Sequence, residues 1–153
     1  MLPKKRKYIV SELWILAWNA SVQRANLYNA SVKRTGAPDK RIAGFKTAVI
    51  GFIEDKLQPQ YLEKCTEEQH YKNIAALIKF ANQKDPGILG KDGYKYGVAQ
   101  KLLNLVLKYL SCLDIITSTP PHCPVDRIVI DKTKYRGMKN WTEIQRNRNI
   151  ERL

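Results

Sequence analysis

A lysine that follows a glycine turn and an aspartate that follows a proline are the residues of this chain with the most chemistry to offer. They lie in Gly97-Val98-Ala99-Gln100-Lys101 and in Cys123-Pro124-Val125-Asp126, with an apolar segment between them. An amine can attack an electrophilic carbon to form a Schiff base, and a carboxylate beside it can stabilise developing positive charge. The amine must first be free. With a reference pKa of about 10.4, roughly one lysine in two thousand is unprotonated at pH 7. Burial or a cationic neighbour raises that fraction. Lys101 opens an apolar stretch, with Lys108 two turns further on, so partial desolvation is expected. The plainer roles are a lysine snorkelling from an amphipathic helix and an aspartate capping a helix N-terminus.

Other residues suit a polyanion. Tyr94 and Tyr96 flank Lys95 in a glycine-rich turn and are placed to touch DNA, whereas Trp14 and Trp18 recur at helical spacing and read as core. Lys132, Lys134, Arg136 and Lys139 form a basic stretch suited to phosphate contacts. His70, His122, Cys65 and Cys123 follow no zinc-binding spacing, so neither a metal site nor a cofactor is expected. No Gly-x-x-x-x-Gly-Lys-Ser loop and no Gly-x-Ser-x-Gly elbow occurs, so nucleotide hydrolysis and serine chemistry have no support.

A glycine-containing hairpin ending in Gly97-Val98-x-x-Lys101, an apolar helix and then Pro124-Val125-Asp126 resembles the core of the helix-hairpin-helix DNA glycosylase superfamily, in its 8-oxoguanine glycosylase-like form. Residues 66–132 carry the resemblance, less than half of the chain. It implies that Lys101 attacks the sugar anomeric carbon, that Asp126 supports departure of the base, and that Gly97 and its neighbours approach a DNA phosphate. The chain departs from the pattern at Ala99, where a second glycine is usual, and at Arg127-Ile128, where a small residue and a histidine often follow the aspartate. It has no cysteine cluster for an iron–sulfur centre.

Composition sets the frame for these residues. A chain of 153 residues that is 44% hydrophobic is long enough for one domain with its own core. Twenty-seven lysines and arginines against fourteen acidic residues give a net charge of +13, more than solubility requires, and nucleic acid is the polyanion expected, DNA or RNA. An anionic membrane surface is the runner-up. The longest apolar stretch, residues 102–113, is interrupted by Asn104, Lys108 and Ser111 and is too short to cross a bilayer, so no membrane partner is expected. Three cysteines outside any C-x-x-C pattern indicate free thiols and a reducing compartment, hence a cytoplasmic protein, or a nuclear one in a eukaryotic cell. Lys4-Lys5-Arg6-Lys7 reads as a short basic N-terminal arm rather than a signal sequence.

The elements that must position these residues are helical, because apolar residues recur every three or four positions and strict alternation is rare. An all-α, single compact helical domain spanning residues 1–153 and containing a helix-hairpin-helix-like unit is expected. Ser11 is expected to cap a first helix running to Gly36, and the echo of residues 18–22 in 28–32 reads as one helix repeating one buried face. A second helix should start at Pro38-Asp39 and stop at Pro59. Thr66-Glu67-Glu68-Gln69 is a capping-box pattern for a third, with Tyr71, Ile74, Ala75, Ile78 and Ala81 on one face. The helix from Gly97 to Leu113 is apolar on most faces and should be central, with Lys101, Asn104 and Lys108 as its polar strip. Asp126 should cap a short segment through Ile130, and Thr142-Glu143-Ile144-Gln145 should open a basic C-terminal helix. A DNA-binding protein of helix-hairpin-helix type is expected, and glycosylase and lyase chemistry on damaged or modified bases is what the resemblance would add to it. The competing class is a noncatalytic nucleic-acid-binding or phage and host interaction protein.

Overall fold

A computed structural model describes residues 3–23, 25–33 and 40–133. Its elements are α1 (Pro3–Val22), α2 (Ala30–Lys33), α3 (Lys40–Phe52), α4 (Glu67–Lys84), α5 (Tyr96–Cys112) and α6 (Arg127–Asp131). Among the described residues there is no strand, only one isolated antiparallel bridge between Tyr28 and Leu89. The chain forms a single helical domain around one core cluster, as expected.

α5 is the centre. Twelve of its seventeen residues are buried, and it packs against α1 and α4, while α3 lies on α4. Leu102, Leu103, Val106 and Leu107 are inaccessible to solvent, because apolar side chains surround the helix axis and each face meets a neighbour. The expected polar strip does not face water, however. Lys101 and Asn104 are buried, and only Lys108 is exposed.

α1 differs from the sequence reading at both ends. It begins at Pro3, so Ser11 lies in mid-helix and donates its hydroxyl to the Tyr8 carbonyl at 2.7 Å instead of capping. The first buried side chain is Leu13, so the turns carrying Lys4, Lys5, Arg6 and Lys7 extend past the core as a basic arm. The helix stops at Val22 because residues 27–29 pair with the connection ahead of α5. Asn29 donates its amide to the Ile88 carbonyl at 2.9 Å, and Gly90 donates to the Leu27 carbonyl at 2.9 Å. The echoed segments 18–22 and 28–32 therefore fall in different elements. Gly36, Pro38, Asp39 and the basic helix expected after Thr142 lie outside the described residues.

α3 continues past Phe52 into a wide π-helical turn (Ile53–Leu57) and a 3-10 turn (Gln58–Tyr61) that contains Pro59. Phe45, Val49, Ile53, Leu57 and Tyr61 all reach the core. Thr66 caps α4 by accepting the Gln69 amide at 3.2 Å. Only half of the capping box forms, because the Gln69 side chain donates to Gln60 and Asn73, each at 2.9 Å. α4 buries His70, Asn73, Ile74, Leu77 and Ala81, a face that takes in two polar residues and leaves Ala75 exposed.

Two glycines shape the connection between α4 and α5. Gly93 adopts φ +63°, and a Cβ there would collide with the Asn82 side-chain oxygen. That oxygen accepts the Tyr94 amide at 2.8 Å. At Gly90 a Cβ would sit 3.4 Å from the Asn26 carbonyl oxygen, so the bridge to residues 27–29 depends on close backbone approach.

Candidate functional site

The site lies where α5 meets the segment leading into α6. Residues 118–126 contain three prolines and no regular element, so side chains must hold them in place. Gln100 does this on both edges of Val125: its Oε1 accepts the Val125 amide at 3.2 Å and its Nε2 donates to the Val125 carbonyl at 2.8 Å. One turn further along α5, Asn104 donates through Nδ2 to the Cys123 carbonyl and to Gln100 Oε1, both at 3.2 Å. Amides at i and i+4 lie on one helical face, and here that face grips the backbone ahead of Asp126.

Asp126 is fixed in turn by the helix it starts. Its Oδ1 accepts the amides of Ile128 at 3.0 Å and Val129 at 3.1 Å, capping α6 as expected. Its Oδ2 lies 3.7 Å from Lys101 Nζ. The two residues singled out by sequence, twenty-five positions apart, thus meet in space. The lysine side chain is 11% exposed and the carboxylate 31%, so the ammonium is shielded from water and the carboxylate is reachable from outside. An attacking amine is helped by desolvation or a cationic neighbour. Lys101 has the burial, with an anion as its neighbour.

Behind the amide grip runs a buried hydrogen-bonded chain. Asn73 donates to the Tyr61 hydroxyl at 3.0 Å, and that hydroxyl lies 2.8 Å from His70 Nδ1. With its oxygen accepting from Asn73, the hydroxyl has its proton for Nδ1, which assigns the imidazole proton to Nε2. Burial, and then the nearby His122, push the His70 pKa down to about 4, while the Asn104 amide favours the charged ring. Burial likewise pushes the Tyr61 hydroxyl upward. His122 stacks on His70 with ring centres 5.1 Å apart and planes 20° from parallel. Its Nε2 lies 3.3 Å from Glu67 Oε1.

A cavity of about 190 Å³ opens beside this chain, between α4, α5 and α6, with Tyr71, Tyr96, Asn104, His122, Val129 and Ile130 in its walls. Neither Lys101 nor Asp126 lines it. The ion pair and the concavity are neighbours on α5, not one pocket.

The residues expected to meet DNA at the hairpin turn inward. Tyr94 is 1% exposed and packs against Phe45 in the core, with ring centres 6.2 Å apart. Tyr96 is 8% exposed and faces the cavity, and Gly97 is buried in the first turn of α5. The rings are large apolar surfaces, and packing them in the core outweighs the turn's tendency to stay solvated. Lys95 remains partly exposed, paired with Asp92 at 3.0 Å, and Lys132 stands exposed just after α6. Lys134, Arg136 and Lys139 lie outside the described residues. Among the described residues no group of three histidine, cysteine or acidic side chains could hold a metal ion, and no helix is long and apolar enough to cross a membrane.

Sequence reasoning missed Gln100, Asn104, His70 and Asn73 as organisers of the site. The available signal was polar residues three or four apart at core-facing positions of otherwise apolar helices. Comparison of the chain with family models, with curated proteins and with solved structures finds no match.

Proposed function

We propose that the protein binds nucleic acid, DNA first, as a helix-hairpin-helix-type binding protein acting through phosphate contacts. The observation that carries this reading is the net charge of +13, with Lys4, Lys5, Arg6 and Lys7 on a helical arm clear of the core and Lys91, Lys108 and Lys132 exposed on the body. Such a surface attracts a polyanion and releases its counterions. Fluorescence anisotropy with a labelled duplex over a range of NaCl concentrations tests it. Neutralising about five phosphates gives a log-log slope near −4 to −5. A flat slope, or no binding at low salt, removes the reading.

A second reading, base excision with lyase activity, is favoured by the 3.7 Å approach of Lys101 to Asp126 at the positions the glycosylase resemblance singles out. In that chemistry the Lys101 amine bonds to deoxyribose C1′ as the base leaves, and the resulting Schiff base is reduced by borohydride to a stable adduct. Wild-type protein should then trap on an oligonucleotide carrying an abasic site, and Lys101→Gln should not, while keeping most of its DNA affinity. Absence of trapping in the wild type leaves the pair as a clamp between α5 and α6, which its burial and the capping role of Asp126 also support.

A further inference from the structure

We propose that the basic arm of α1 enters the major groove of B-form duplex DNA. This rests on the nucleic-acid reading and adds to it the form of the nucleic acid and the element that meets it.

The arm is a projecting helix, not a loose tail. Every residue from 3 to 9 is exposed, Val10 packs against the core cluster, and Leu13 is the first buried side chain. At about 1.5 Å per residue the free part is roughly 10 Å long, two helical turns. The same helix goes on to place Trp14, Ala17 and Trp18 in the core cluster and packs on α5, the centre of the domain. No glycine or proline separates Lys4 from Leu13, so the anchored half holds the tip in place, and presenting it to a ligand needs no ordering of a disordered segment. A helix with its side chains is about 10–12 Å across, and the major groove of B-DNA is about 12 Å wide and 8.5 Å deep.

The placement of charge selects a groove over a flat surface. Lys4, Lys5, Arg6 and Lys7 are consecutive, and successive residues of an α-helix point about 100° apart, so the four charges spread around nearly the whole circumference. A lipid headgroup layer meets one side of a helix and would leave the charges on the far side without anions. The major groove has a phosphate strand along each wall, and a helix lying in it meets anions on both flanks. Residues 3–11 include no aspartate or glutamate, and the first acidic residue, Glu12, comes where the helix reaches the core. Tyr8 is 67% exposed and Ile9 37%, apolar groups of the kind that meet thymine methyls on the groove floor, while Arg6 carries the fork that pairs with guanine O6 and N7.

The probes are a DNA duplex and an RNA duplex of one mixed sequence, each titrated with the full chain at low salt by fluorescence anisotropy. A-form RNA has a deep, narrow major groove that side chains do not read, so the DNA duplex should bind about tenfold more tightly or better. Dimethyl sulfate methylates guanine N7 in the major groove and adenine N3 in the minor groove; saturating protein should shield guanine N7 and leave adenine N3 open. Tyr8→Pro, which breaks the exposed arm while keeping its four charges, should lose the guanine protection and bind the DNA duplex no more tightly than the RNA, with the urea midpoint of the domain unchanged. Tyr8→Ala, which keeps the helix, should retain both. Equal affinity of the wild type for the two duplexes, protection of adenine N3 in place of guanine N7, or full protection by a folded Tyr8→Pro protein would each overturn the assignment and leave nucleic-acid binding in place. Open guanine N7 together with arm-dependent binding to phosphatidylserine vesicles would overturn it in favour of a lipid surface. No binding to either duplex would end the nucleic-acid reading and this proposal with it. The wild-type affinities and footprint decide the point even if Tyr8→Pro does not fold.

Discussion

Leu103→Asp should leave the chain unfolded at 25 °C. Leu103 is inaccessible to solvent on the most buried helix of the domain. Removing a buried leucine side chain costs about 2–5 kcal/mol, and an unpaired buried carboxylate adds several more. The total approaches or exceeds the roughly 5–15 kcal/mol that holds a domain of this kind together. Far-ultraviolet circular dichroism and a urea titration read the result. Lys108→Asp, on the exposed side of the same helix, should unfold cooperatively with a midpoint close to that of the wild type. Leu103→Met, nearly equal in volume, should cost less than about 1.5 kcal/mol. A folded Leu103→Asp protein would mean that α5 is not the centre of the core.

Acid should destabilise the domain well before its carboxylates titrate. The His70 pKa falls to about 4 in the folded state, against about 6.5 for a free histidine. The unfolded chain therefore binds a proton that the folded chain refuses between these values. The sign follows from linkage: stability is fully present above the unfolded pKa, declines as the pH falls from about 6.5 towards 4, and levels off below. The total is on the order of 3 kcal/mol. Urea midpoints measured from pH 7 to 4 should show the decline, and His70→Gln should flatten it even if that variant is less stable at pH 7. His122 and Glu67 lie on the same cluster, which makes the His70 variant the necessary comparison. An undiminished slope in His70→Gln would assign the acid sensitivity to another group.

Legibility in the sequence followed how local the cause was. α5 was readable because its apolar residues are dense enough to specify burial from every side. The α6 start at Asp126 and the α4 start at Thr66 were readable because a cap is a contact within three residues. The end of α1 was not, since it is set by hydrogen bonds between residues 27–29 and 88–90, some sixty positions away. Lys101 and Asp126 could be named from residue type and motif. The means of bringing them together could not, because Gln100 and Asn104 look like solvated residues until the backbone they grip is in place. The inward turn of Tyr94 and Tyr96 has the same origin: a glycine-rich connection reads as surface, and only the packed core shows that its rings are needed inside.

The wide turn after α3 bears on how this chain counts. Phe45, Val49, Ile53, Leu57 and Tyr61 recur strictly every fourth residue, yet an α-helix completes a turn in 3.6 residues, so each step of four overshoots by roughly 40°. Over the whole run the last side chains would rotate away from the core. The π-helical turn at Ile53–Leu57 takes up more chain per revolution and holds back the phase, returning Leu57 to the inside; the 3-10 turn that follows leads on to Tyr61, which meets His70. The exposed stretch Glu54, Asp55 and Lys56 thus holds one residue more than a plain helix would need to keep its face. Removing one residue there would let the turn close as plain α-helix with Leu57 still on the inner face.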